Sequence, residues 1–128
     1  MQNFIFIIIG LLGIVLLMQF LVRFKSWSKK GKAAPTVSGS LGKSILKGDK
    51  LIAYFYSPTC RACRTQEKYL PKIQESFDNI FRINAAKERE IAAAFGVMGT
   101  PTTIIIEKGI IKEYFTGITP PNKILKSL

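Results

Sequence analysis

From Phe4 to Val22 the chain runs FIFIIIGLLGIVLLMQFLV, nineteen residues without a charge and with Gln19 as the only strongly polar member. At about 1.5 Å per residue, a helix of this length spans roughly 28 Å, close to the hydrocarbon thickness of a bilayer. Ile, Leu, Val and Phe occupy every side of it, unlike the single apolar stripe of a helix on a protein core. The pattern predicts a transmembrane helix with residues 4–22 in lipid, within an anchor over residues 1–25. A cleavable signal peptide would carry basic residues before the run and small residues at a cleavage site just after it. Here the leader is Met-Gln-Asn and the run ends directly in Arg23, Phe24 and Lys25, so a retained anchor is expected.

The pattern then changes. Ser26 to Ser40 is rich in Lys, Gly, Ser and Ala, with Pro35 ending any continued helix, and reads as a solvated basic linker over 26–35 leading into a domain over 36–128. Within that domain Leu41–Lys47 predicts a short helix, and Gly48-Asp49 turns the chain into LIAYFY, Leu51–Tyr56, which reads as a buried strand. Ser57-Pro58-Thr59 stops the strand. From Cys60 to about Phe77, Tyr69, Leu70, Ile73 and Phe77 recur at helical spacing. Ile80–Ile83 predicts a short strand, and Lys87–Phe95 a helix with Ile91, Ala94 and Phe95 on one side, ended by Gly96. Two β-branched runs, Thr102–Ile106 and Ile110–Thr116, flank Glu107-Lys108-Gly109 as a hairpin. Thr119 is placed to cap a last helix with Pro120 and Pro121 in its first turn. Alternating strands and helices of this kind imply helices packed over a mixed sheet.

At 128 residues there is room for one ordinary domain plus short appendages. The formal charge of +11 would suggest nucleic acid were it spread over the chain. It is not: Arg23, Lys25, Lys29, Lys30 and Lys32 lie within ten residues of the apolar run, and the other fourteen basic residues are set against all eight acidic ones. A basic cluster beside a membrane helix marks a cytoplasmic flank and contact with anionic headgroups. Without basic residues interleaved with aromatics, or any recognised binding motif, no nucleic acid partner is expected. The positive-inside rule puts the helix N-terminus outside and the domain in the cytoplasm, the alternative being a periplasmic or other extracytoplasmic domain. Gly10 and Gly13 do not have the small-xxx-small spacing of a helix dimer.

The two cysteines, Cys60 and Cys63, stand three apart at the predicted start of a helix, directly after a buried strand. There Cys60 meets free backbone N–H groups and the positive end of the helix dipole, with Arg61 and Arg64 adding positive charge, and all of these favour thiolate over thiol. A free cysteine titrates at about 8.5, and pairs in such sites at roughly 3.5 to 7.5. Cys60, the more exposed, is expected as nucleophile and Cys63, one turn inward, as resolving thiol. Zinc wants four Cys or His ligands, and this chain has two Cys and no His. A purely structural disulfide across a two-residue loop would remove little entropy from the unfolded chain.

With LIAYFY, the turn Ser57-Pro58-Thr59-Cys60, the pair Cys60-Arg61-Ala62-Cys63, and Gly99-Thr100-Pro101-Thr102 before an apolar strand, the chain resembles the thioredoxin family over Val37–Leu128. The resemblance implies a thioredoxin-like α/β fold, a mixed central sheet flanked by helices, behind one N-terminal transmembrane helix. It implies a cis Thr100–Pro101 bond beside the cysteines, and a Thr100 backbone free to pair with an extended client segment. The other reading of Pro101 is a proline that merely enters a strand. The implied activity is protein-disulfide exchange, with the Cys60–Cys63 disulfide as the redox group, no bound cofactor and no metal. The implied partners are a disulfide-bearing client protein and a separate reductase or membrane electron donor. The alternatives are an oxidase or isomerase working in the opposite direction and a non-catalytic binding or assembly module.

Three positions depart from the family pattern. The dipeptide between the cysteines is Arg61-Ala62 instead of Gly-Pro, which leaves the redox potential open, and an arginine beside the thiolate should favour the reduced form. The family's buried acid is Tyr54 here, so the usual proton acceptor for the resolving thiol is missing and slower resolution is expected. Arg82 falls where a buried lysine often partners that acid, and is expected at the sheet edge or in a salt bridge elsewhere. Thr59 replaces the tryptophan before the first cysteine.

Overall fold

The computed structural model describes the backbone of residues 1–27 and 29–128 and, except at 25–27, their side chains. Lys25 and Ser26, placed by the sequence at the end of the anchor and the start of the linker, therefore lie outside the described side chains, and Ser28 lies outside the described residues. Helix α1 runs over Gln2–Trp27. Its stretch Gln2–Phe24 is long and apolar enough to cross a membrane, and none of it is buried against the rest of the chain.

The remaining elements follow in the expected order: α2 (Gly39–Leu46), β1 (Leu51–Tyr56), α3 (Arg61–Ser76), β2 (Ile80–Asn84), α4 (Arg89–Ala94), β3 (Thr102–Glu107), β4 (Ile110–Thr116) and α5 (Pro121–Lys126). The four strands lie in the order β2-β1-β3-β4, with β1 and β2 parallel and the other two pairings antiparallel. The sheet is mixed because a crossover helix, α3, joins β1 to β2, whereas a two-residue turn joins β3 to β4. That turn takes positive φ at both Lys108 (54°) and Gly109 (73°), the geometry whose twist suits a tight hairpin.

Successive side chains of a strand point to opposite faces, so the central strands feed two cores. Leu51, Ala53 and Phe55 of β1, with Ile104 and Ile106 of β3, pack under α2 and α4 through Leu41, Ile45, Ala92 and Phe95. Ile52, Tyr54 and Ile105 pack on the other face under α3 and α5, through Leu70, Ile73 and Ile124. Burial on both faces explains why LIAYFY is continuously apolar instead of alternating. In β4 the alternation is broken: Ile105 pairs with Glu113 and Ile106 with Ile111, leaving Lys112 as the extra residue of a bulge. Ile111 and Tyr114 can then both face the α2/α4 core although they are three apart.

Three expectations change. Ala94 is exposed, and the buried face of α4 is Ala92 and Phe95 with Ile91 beside them; a six-residue helix can bury only the residues one turn apart on its sheet side. Pro120 occupies the N-cap of α5 instead of Thr119, which is buried and engaged elsewhere. Part of the basic segment read as a solvated linker lies along β4. Gly31 N–H donates to the Ile111 carbonyl (2.7 Å), Ile111 N–H to that of Lys32 (2.8 Å) and Ala34 N–H to that of Gly109 (2.8 Å). The physical reason is that β4 is an edge strand, whose unpaired backbone groups accept any extended segment within reach.

Candidate active site

At the end of β1 the chain turns through Ser57-Pro58-Thr59, where the Cys60 N–H donates to the Ser57 carbonyl (3.1 Å). Cys60 is thereby held in extended backbone as the N-cap of α3, and the Cys63 N–H donates to its sulfur at 3.1 Å. This is capping by a cysteine: one of the unpaired first-turn N–H groups is aimed at Sγ, where it stabilises negative charge once the pair is reduced. Cys60 is half-buried and Cys63 is buried, 2% exposed, so only the first sulfur meets solvent. The two are joined as a disulfide with their Cα atoms 5.3 Å apart.

The loop before β3 comes to the same place. The Thr100–Pro101 peptide is cis, Pro101 is buried, and the Thr100 carbonyl oxygen stands 3.4 Å from Cys60 Sγ. A disulfide sulfur has no proton to give, so this approach becomes an S–H···O hydrogen bond only when Cys60 is a thiol. Thr102 Oγ1 donates to the Gly99 carbonyl (2.7 Å) and Gly117 N–H to that of Pro101 (2.9 Å), which pins the loop from both sides. Cys60, Cys63, Thr100 and Pro101 thus stand together, whereas Arg61 and Arg64 project exposed from the first turn of α3 and Ala62 is half-buried between the cysteines. Beside Thr100 a groove of about 360 Å³ is lined by Ser57, Ala86, Arg89, Val97, Met98 and Gly99.

Tyr54 is fully buried under α3, and its hydroxyl donates to the Cys63 carbonyl (3.3 Å). Burial, with Glu67 nearby as a smaller cause, pushes its phenol up to about 12, so it holds its proton through neutral pH and supplies no carboxylate to accept one. Arg82 is on the edge strand β2, half exposed, paired with Glu67 and stacked over the Tyr56 ring at 5.0 Å. It does not enter the site.

One residue escaped the sequence reading. Gln66 is fully buried: its amide donates to the Thr119 carbonyl (3.0 Å) and accepts from the Thr119 N–H (2.7 Å), joining α3 to the loop before α5. Its signal was available, since it follows Cys63 by three and therefore shares that residue's buried helix face.

A strand delivering a capped, half-exposed cysteine to a helix N-terminus, with a buried partner one turn on and a carbonyl waiting beside it, defines a dithiol–disulfide exchange site. The thioredoxin family profile matches residues 33–128. The thioredoxin of Chlorobaculum thiosulfatiphilum is 24% identical over 102 residues, 77% of this chain and 94% of that one. Thioredoxin 2 of Plasmodium berghei is 35% identical over 69 residues, which are 52% of this chain and 44% of that protein. Among solved structures, a single-substitution mutant of a thioredoxin from Halobacterium salinarum shares the fold at a TM-score of 0.61 and 24% identity, covering 75% of this chain and 91% of that one. The chain belongs to the thioredoxin family, and is a thiol–disulfide oxidoreductase carrying a CxxC pair.

Proposed function

We propose that this protein is tethered to a membrane by α1 and reduces disulfides of client proteins near the bilayer. The observation that carries the reading is the asymmetry of the pair: an N-capped, half-exposed Cys60 beside the Thr100 carbonyl, backed by a buried Cys63. The Cys60 thiolate attacks one sulfur of the client disulfide, forming a mixed disulfide and releasing the first client thiolate. Cys63 then attacks Cys60 Sγ and releases the second client sulfur, which leaves with the Cys63 proton as a thiol. Two electrons move to the client and leave the pair oxidised. A separate reductase or membrane electron donor must restore it, since the exchange itself uses no group beyond the two sulfurs. An extended client segment is held by the Thr100 backbone and Pro101, while Arg61, Ala62 and Arg64 tune the potential from the first turn of α3.

The basic residues following α1 favour a domain on the cytoplasmic side, where the pair would rest as thiols. The test is alkylation of Cys60 and Cys63 in intact and in lysed cells by a membrane-impermeant thiol reagent, with and without prior reduction. Labelling only after lysis, without reduction, is the expected result. Labelling in intact cells would put the domain outside and reverse the reading toward an oxidase or relay.

A further inference from the structure

From Trp27 to Gly39 the chain takes twelve steps, which fully extended would let the domain wander about 43 Å from the end of α1. The structure removes most of that reach. Gly31, Lys32 and Ala34 are bonded along β4, so only four steps separate Trp27 from the first of these bonds, about 14 Å at most. Two lysines close the junction. Lys30 pairs with Glu113 of β4 (2.8 Å). Lys29 places Nζ over the Tyr114 ring, 4.6 Å from its centre, and donates to the Tyr114 hydroxyl (3.3 Å) and to the Gly96 carbonyl. Gly96 has φ +65°, and a Cβ there would stand 2.7 Å from Lys29 Nζ, so a side chain at position 96 would make the lysine tip shift.

Gly96 opens the loop that ends at Pro101, which brings the exchange site into the same junction. Leu21 and Val22 of α1 share an apolar hollow with Lys29, Gly96, Met98 and Thr116. Met98, 78% exposed, also lines the groove beside Thr100. Ile118, exposed, follows Gly117, whose N–H bonds Pro101. Met98 therefore lines both the hollow against the last turns of the membrane helix and the groove at the edge of the exchange site.

We infer that residues 29–34 are a latch that holds the exchange groove down toward the bilayer, so that this chain takes disulfides carried at the membrane surface and discriminates against those held far from it. The inference rests on the membrane tethering proposed above and adds the client class: membrane proteins with a disulfide next to a spanning segment. Lys29 and Lys30 act by positioning and touch no reacting atom.

The test uses the full chain in proteoliposomes, first floated on a density gradient. Two client peptides share one transmembrane segment, one with its disulfide directly at the interface and one with it beyond about thirty residues of Gly/Ser linker. The intact chain should reduce the near client about tenfold faster, through the higher effective concentration. Lys29→Ala with Gly31→Pro removes the ammonium and a β4 hydrogen bond, and imposes a proline φ where the chain takes +84°. That variant should bring the two rates within about twofold while reducing a water-soluble disulfide as fast as the parent. Should the soluble rate also fall, Lys29→Ala with Lys30→Ala leaves the backbone bonds intact and carries the same comparison. Equal rates in the intact chain, or a preference that survives loss of the latch, overturns the inference and leaves tethering standing. A chain that does not float refutes tethering, and the inference with it.

Discussion

The two faces of the sheet use the same strands and bury different things. Under α2 and α4 the core is mostly aliphatic and aromatic, built from residues such as Leu51, Phe55, Phe95, Ile104 and Ile106, with the Tyr114 hydroxyl at its margin bonded to the Phe95 and Gly96 carbonyls. Under α3 and α5 the apolar residues Ile52, Ile73, Ile105 and Ile124 share the space with Tyr54, Gln66 and Thr119, all buried and polar. Apolar packing is strong and has no direction, so it sets how firmly the layers adhere but not where one backbone atom stands against another. Hydrogen bonds are weaker in net terms and strongly directional. On the α3 face they form a circuit around the sulfurs: Tyr54 to the Cys63 carbonyl, Gln66 to both backbone groups of Thr119, and, two residues back along that loop, Gly117 to Pro101. The circuit closes where the Thr100 carbonyl approaches Cys60 Sγ. The first face supplies mainly cohesion and the second most of the bonds that position the sulfurs.

Substitutions should separate the two roles. Cys60→Ser should lower disulfide reduction by at least about three orders of magnitude, since no other nucleophile stands at the α3 N-cap, while the urea midpoint of the full chain in detergent stays close to that of the reduced parent. Phe55→Ala on the cohesive face should do the reverse. It costs about 3–5 kcal/mol of stability, read as a lower urea midpoint, yet the glutathione equilibrium of the molecules that remain folded should not move. A shifted equilibrium would mean that the two faces are coupled more closely than the hydrogen-bond circuit implies. Gln66→Ala should touch both properties, because it strands the N–H and C=O of Thr119 in the interior. A loss of about 2–3 kcal/mol is expected, with a measurable change in the glutathione equilibrium as the Pro101 loop loosens.

That division also marks how far the fold and site were readable from residues alone. Cohesion leaves a periodic trace: LIAYFY and Ile110–Thr116 have the strand bounds their patterns predict, and the hairpin falls at Lys108-Gly109. The cysteines were legible for a different reason, since two sulfurs at the start of a helix are chemically unlike everything around them. Directional contacts leave no such trace. Thr119 looks like a helix cap in the sequence because Pro-Pro follows it, but Gln66, fifty-three residues earlier, claims its backbone. Equally, Lys, Gly and Ala between 29 and 34 have the composition of a free linker, and only the open edge of β4 makes them part of the sheet.

Alkaline titration offers a subtler measure of both faces. Burial raises Tyr54 and Tyr114 from their ordinary 10.0 to about 12, one phenol on each face. Below pH 10 both states of the protein hold these protons, and the stabilisation is complete. Between about 10 and 12 the unfolded chain gives them up while the folded chain keeps them, so stability falls as pH rises, by on the order of 2 kcal/mol per phenol. Urea midpoints at pH 9 and pH 11.5 should reveal the decline, and Tyr54→Phe or Tyr114→Phe should each remove about half of it.

Tyr54→Phe carries the smallest expected effect and distinguishes two roles for the residue that replaces the family's acid. Its hydroxyl meets the Cys63 carbonyl at 3.3 Å, a long neutral bond worth about 1 kcal/mol in net terms. If the phenol only fixes the first turn of α3, its loss should cost about that much stability and leave the pH dependence of mixed-disulfide resolution where it was. A phenol that shuttled the Cys63 proton would instead leave its mark on that profile, and Phe would shift or flatten it. The positioning role is the expected one, because a group that keeps its proton to about pH 12 takes none from a thiol near neutrality. Stopped-flow measurement of client release from the mixed disulfide between pH 6 and 9 gives the answer directly. A profile that moves with Tyr54→Phe would place the phenol in the proton path and remove it from the purely positional circuit.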